Sequence, residues 1–267
     1  MKTIILCGGQ GTRLKEETEF KPKPMVEIGG KPILWHIMKT YSHYGFKDFI
    51  LALGFQGNVI RDYFLNYEFY NNDFTLKLGD HRNCQIHGNS DEAHWTITLA
   101  ETGLNSMTGF RIKLLEKYID QDDLFMVTYG DGVADISLVD LLAFHKQHGK
   151  IGTLTGVNPP SRWGELVIEQ QAVRKFQEKG AVVGRPGYIN GGFFIFKREF
   201  FNYLDNDPAC ILEKSPLEKL ADAGELMVYQ HPGFWQCMDT YRDYLLLNEL
   251  WSRKNVPWAR AWMPALK

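Results

Sequence analysis

The chain has 267 residues, of which 30 are basic and 32 acidic, for a formal net charge of −2. That balance excludes the broad cationic surface that nucleic acids or anionic membranes require, so any positive field must be local to a site. With 44% hydrophobic and 23% charged residues, it reads as one large soluble domain spanning residues 1–267. No apolar run approaches the ~20 residues that cross a bilayer, and Met1-Lys2-Thr3 leads straight into an apolar segment, so a cytoplasmic protein is expected. Cys7, Cys84, Cys210 and Cys237 form no C-x-x-C pair, which argues against a structural zinc.

Residues 2–7 read as a buried strand. Ile33, Leu34, Ile37, Met38 and Tyr41 recur at helical spacing, with Pro32 at the start and Gly45 past the end. Residues 48–53 form a second apolar strand, and Val59, Ile60, Tyr63, Phe64 and Tyr67 a second helix. Strand, helix, strand, helix implies an α/β fold with a mostly parallel sheet flanked by helices. Residues 70–101 break the rhythm: 74–78 and 95–99 alternate like strands and predict a small antiparallel β excursion. A helix over 110–119, a strand over 123–129 and a helix from Ser137 to Gly149 follow. Short strands are expected at 151–157, 165–169, 173–177 and 192–196. Ser215-Pro216-Leu217-Glu218 has the form of a capping box opening a helix that stops at Gly224. A strand at 226–230 and a helix at 241–251 complete the pattern, and the Trp- and Pro-rich tail from Val256 is expected to dock on a neighbour.

Two stretches carry chemistry. The first strand runs into Leu6-Cys7-Gly8-Gly9-Gln10-Gly11-Thr12-Arg13, and Lys23 follows between two prolines. Glycines at a strand end let backbone N–H groups face an anion, and Arg13 with Lys23 adds charge for several phosphates together. The P-loop pattern is absent, and Leu14 stands where the dinucleotide fingerprint needs a third glycine. In the second, Tyr129-Gly130-Asp131-Gly132 places a carboxylate at the carboxyl end of a buried strand, where open α/β sheets bind ligands. Asp239 lies in a loop before a helix; alone, either aspartate reads as a turn or helix-start residue. Two carboxylates on separate loops suit Mg²⁺, a hard ion that completes its shell with phosphate oxygens.

The segments LCGGQGTRL and KPKPMVEIGGKPILWH resemble the sugar-1-phosphate nucleotidyltransferase family, in detail the branch that acts on CTP and glucose 1-phosphate. The resemblance continues through TGLNSMTGFR, TYGDGVAD, RWGEL, FQEK, INGGFF and HPGFWQCMDTYRD, in order along most of the chain. It implies a Rossmann-like nucleotidyltransferase fold, transfer of CMP from CTP to α-D-glucose 1-phosphate, Mg²⁺ on Asp131 and Asp239, and a homo-oligomer, a hexamer by that likeness. Arg13, Lys23 and Lys179 would be catalytic. The nucleotide would lie on Leu6, Cys7, Gly8, Gly9, Gln10, Gly11, Thr12, Arg13, Lys23, Ser106, Thr108, Arg111 and Gly130, with Arg111 donating to the base carbonyl. Gly164, Glu178, Lys179, Asn190 and Gly191 would hold the sugar phosphate. The sequence departs from the family pattern at Phe110, often glycine in that branch, and at Gly180, usually proline. The same chemistry with dTTP or UTP or with another sugar 1-phosphate, a nucleotide-sugar-dependent glycosyltransferase, and a non-catalytic nucleotide sensor remain as alternatives.

Overall fold

A computed structural model describes residues 1–9, 11–79, 84–119, 122–159, 165–169, 172–177 and 187–263, the segments 165–169 and 172–177 by backbone path only. Seven strands, numbered in chain order, build the central sheet: β1 Thr3–Leu6, β2 Asp48–Leu53, β3 Thr96–Glu101, β4 Leu124–Tyr129, β5 Gly152–Val157, β6 Ile189–Lys197 and β7 Leu226–His231. Their spatial order is β7-β5-β6-β4-β1-β2-β3. Only β6 runs antiparallel to its neighbours β4 and β5, so the sheet is mixed and mostly parallel.

Side chains alternate across a strand, and here both faces are covered, so the inner strands read as unbroken apolar runs. Ile5, Phe49, Leu51, Met126, Phe193 and Ile195 face a core closed by the helices Ile33–His43, Leu138–His148 and Tyr241–Ser252. Ile4, Ile50, Phe125, Val127, Phe194 and Phe196 face a second core with Ile112, Phe200, Phe201 and Leu220. The helix Leu138–His148 starts at Ser137, whose side chain accepts from the Asp140 N–H, and ends on Gly149 at φ 65°.

Five expectations need correction. The excursion exists as the antiparallel hairpin Asp73–Leu76 with Cys84–His87, but the alternation of Trp95, Ile97 and Leu99 belongs to β3, the edge strand beside β2. A half-covered edge strand alternates just as an isolated hairpin does. The helix expected over 110–119 is broken into Thr108–Leu114 and Glu116–Ile119, and the one through Tyr67 into Gly57–Leu65 and Tyr67–Asn71. Ser215 is the first residue of its helix and makes no cap bond. Backbone bonds from Leu217 N–H to Leu212 O and from Glu218 N–H to Lys214 O already satisfy the groups a capping hydroxyl would serve. Last, the tail packs on its own chain. Trp258 is buried, and its indole N–H points to Nδ1 of the buried His36, whose Nε2 bonds Ile28 O at 2.9 Å. No helix of the described residues is long and apolar enough to cross a membrane.

Candidate active site

The carboxyl ends of β1 and β4, with the turns beyond them, open onto a cleft of about 550 Å³. That is an ordinary size for a small-molecule site. Its walls bring together Leu6, Cys7, Gly8, Gly9, Gly11, Thr12, Arg13, Lys23, Ser106, Thr108, Arg111, Gly130, Asp131, Asn190, Gly191 and Asp239, all expected from sequence. Gln10, Gly164, Glu178 and Lys179 lie outside the described residues.

The glycine loop leaves β1 and turns through Gly11 at φ 62°. Thr18 pins it by donating its hydroxyl to Gly11 O at 3.0 Å and Leu14 O at 2.7 Å. Lys23 begins a 3-10 turn, Lys23–Met25, next to the fixed φ of Pro22 and Pro24. Its ammonium donates to Asp131 Oδ2 at 2.6 Å and also to Asp239 Oδ1. Arg13, largely exposed, pairs with the other Asp239 oxygen at 2.8 Å. Burial works to lower the Lys23 pKa, but the charge and hydrogen bonds of Asp131, with those of Asp239, outweigh it and raise it above the usual lysine value. A raised amine pKa keeps its stabilisation at every pH below the unfolded value of ~10.4, so this cluster stays paired through the neutral range.

The carboxylates come from turns 108 residues apart, yet the backbone fixes them together. Asp131 sits between β4 and the short strand Gly132–Ala134, which pairs antiparallel with Trp235–Cys237 just before Asp239. The Met238 N–H closes the arrangement on Asp131 O at 2.8 Å. Beyond it, Thr240 and Asp243 form the reciprocal capping box of the helix Tyr241–Ser252, and the Asp243 carboxylate also accepts from the Asp239 N–H at 3.2 Å. The sequence reading missed this box because aspartate replaces the usual Glu or Gln at the third helical position.

Both aspartates therefore aim at one point that already holds a cation, the Lys23 ammonium, and both side chains keep solvent access, at 27% and 17% exposure. A hard divalent ion fits that donor set, given oxygens from a ligand or water. No cluster of three or more potential metal ligands occurs among the described residues.

Arg111 has other partners than the base carbonyl expected of it. It is 4% exposed, and its terminal nitrogens donate to Leu53 O, Thr102 Oγ1, Gly103 O, Gly8 O and Leu104 O at 2.6–3.3 Å. Those five acceptors exceed the four protons the two nitrogens carry. In this arrangement the guanidinium braces the glycine loop against the 102–104 turn. Burial pushes the Cys7 thiol well above its usual range, against the nearby Arg111 charge, so it is no nucleophile. The sequence reading also missed Tyr129, Glu213, Trp235 and Cys237, which line the same cleft. The Trp235 indole donates to Gly191 O at 2.8 Å. Tyr129, Trp235 and Cys237 stand inside segments that carry the resemblance but without a role of their own, and Glu213 lies outside every such segment.

A family model described as Nucleotidyl transferase matches residues 2–251. The chain belongs to the nucleotidyl transferase family. Within that family, a glucose-1-phosphate cytidylyltransferase of Salmonella typhi is 51% identical over 258 residues, 97% of this chain and 98% of the relative. A mannose-1-phosphate guanylyltransferase catalytic subunit beta of Dictyostelium discoideum is 32% identical over 92% of this chain and 63% of the relative. The crystal structure of HddC from Yersinia pseudotuberculosis complexed with GMP-PN, 24% identical, superposes with a TM-score of 0.66 over 94% of this chain and 99% of that one. At that identity the likeness concerns the nucleotidyl transferase fold.

Proposed function

We propose that this chain transfers CMP from CTP to α-D-glucose 1-phosphate, forming CDP-glucose and releasing pyrophosphate. The observation that carries the reading is 51% identity, spread over 97% of the chain, to a relative named glucose-1-phosphate cytidylyltransferase. The cleft supports the chemistry, because the glycine loop, two cations and two convergent carboxylates meet in it.

In this reading the glycine loop and Arg13 bind the β- and γ-phosphates. Lys23 leaves the carboxylates for the α-phosphate, where negative charge builds as the sugar phosphate oxygen attacks in line with departing pyrophosphate. That oxygen is already ionised at neutral pH, so no general base is needed, and the cleft offers no imidazole to serve as one among its described residues. Asp131 and Asp239 would hold Mg²⁺, which neutralises phosphate charge when bound. Asn190 and Gly191 meet the sugar, and Lys179 its phosphate. Self-association fits the apolar side chains around the hairpin, where Leu65, Tyr70, Phe74 and Leu78 are exposed.

Pyrophosphate release on mixing the protein with Mg²⁺, glucose 1-phosphate and each of CTP, dTTP, UTP and GTP tests the proposal. CTP is expected to be turned over best; no release with CTP overturns it. Lys23→Ala and Asp131→Ala are each expected to lose at least ~10²–10³ in kcat while remaining folded.

A further inference from the structure

Four polar side chains in the cleft form one directed chain of hydrogen bonds, and its centre is a carboxylate that the reaction scheme leaves idle. Glu213 sits in the loop before the helix Ser215–Asp222. Its Oε2 accepts from the Thr108 hydroxyl at 2.7 Å, and its Oε1 accepts from the Tyr129 hydroxyl. The direction of each bond is fixed from outside. The Leu212 N–H can only donate, and it reaches Thr108 Oγ1 at 2.9 Å, so the Thr108 proton is left for Glu213. At the other end the Gly192 N–H donates to Asn190 Oδ1 at 2.9 Å, which sets the amide so that Nδ2 faces the Tyr129 oxygen at 3.1 Å. Tyr129 therefore accepts from Asn190 and gives its own proton to Glu213.

The chain runs from the start of the helix Thr108–Leu114, on the nucleotide side, to the start of β6, on the sugar side. Gly192 makes the close approach possible: at φ 80°, a Cβ there would lie 2.3 Å from the Tyr129 ring. Burial, then the Glu213 charge, raises the Tyr129 phenol well above its usual range, which keeps its proton in place.

We infer that Glu213 is a positioning residue that orients Asn190 through Tyr129 and Thr108 directly, so that one carboxylate sets both the sugar and the nucleotide half-sites. The inference rests on the cytidylyltransferase reading above. Only a carboxylate supplies two acceptors and no donor; without it, the Tyr129 proton has no acceptor and the hydroxyl that receives Asn190 Nδ2 loses its anchor, while the Gly192 N–H still holds Asn190 Oδ1.

The test is steady-state kinetics on the full chain with CTP, glucose 1-phosphate and Mg²⁺. Tyr129→Phe is expected to raise KM for glucose 1-phosphate ~10-fold and to leave KM for CTP in place, the loss of about one hydrogen bond. Thr108→Val is expected to do the reverse. Glu213→Ala should raise both, with kcat within ~3-fold of the native value. Glu213→Ala with Tyr129→Phe should be no worse for glucose 1-phosphate than the worse single variant, because the two lie on one path. Unchanged KM values in Glu213→Ala, or effects that multiply in the double variant, overturn the inference. If Glu213→Ala does not fold, the conservative pair decides: Tyr129→Phe and Thr108→Val that shift both KM values alike mark a structural role only and overturn it. A native protein inactive with this substrate pair refutes the functional reading instead, and the same cycle is then run on the pair that the nucleotide panel selects.

Discussion

Replacing Lys23 by methionine removes the ammonium that Asp131 and Asp239 share. Both carboxylate oxygens reach the same nitrogen, so they lie within about 5 Å of each other. At that separation and an effective dielectric of ~20, two negative charges repel by ~3 kcal/mol. Solvent access to both side chains and the Arg13 pair on Asp239 screen this to ~1–2 kcal/mol. A divalent ion entering the native site must displace an ammonium; in Lys23→Met it meets bare carboxylates. Titration calorimetry with Mn²⁺, without nucleotide, is therefore expected to show ~10-fold tighter binding by the variant. Adding CTP should close the gap, since the native lysine then has a phosphate partner. Equal or weaker Mn²⁺ binding by Lys23→Met in the absence of nucleotide would refute the idea that lysine and metal compete for the same oxygens.

Other substitutions test the frame around the site. A Cβ on Gly8 would lie 2.2 Å from an Arg111 terminal nitrogen that is already bonded, so Gly8→Ala is expected to cost ~1–3 kcal/mol and lower Tm by roughly 5 °C. Gly9→Ala, with nothing within 4 Å of the new atom, should leave stability within ~0.5 kcal/mol by the same melting assay. Thr240→Ala breaks the capping box and should cost ~1 kcal/mol, read by chemical denaturation, with weaker Mn²⁺ binding as Asp239 loosens. Burial lowers His36 to about 4, against ~6.5 in the unfolded chain. Below pH 6.5 the unfolded state takes up the proton first, so stability is complete above that pH and is lost as pH falls toward 4, by up to ~3 kcal/mol. His36→Phe should flatten that slope in urea titrations between pH 4 and 7; an unchanged slope would remove His36 from the acid sensitivity.

Much of the fold was legible because the sheet is covered on both faces. Ile4-Ile5-Leu6 and Phe49-Ile50-Leu51 have no polar side to confuse the pattern. Legibility failed where a local pattern had two physical origins. Trp95, Ile97 and Leu99 alternate because they share the face of β3 that packs on the first core while Thr96 and Thr98 stand on the other, and the strand stays in the sheet beside β2. The glycine loop, Lys23 and the two aspartates were readable as charge placed at strand ends. Glu213 was not, because its partners Thr108 and Tyr129 lie 105 and 84 residues away. Arg111 was readable as a cation of the site, but its burial and its five oxygen partners depend on three separate turns, and no local spacing encodes them.

The docked tail also imposes an order on synthesis. Trp258 closes over His36, 222 residues earlier in the chain. At the usual ~5–20 residues per second, the helix Ile33–His43 waits on the order of ten to forty seconds on the ribosome before its aromatic lid exists. Over that interval Trp35 and His36 lack their ring contacts with Trp258 and Trp262. Factors that shield nascent chains should therefore dwell on this early helix and release when residues near 260 emerge, coupling the completion of one core face to the progress of translation.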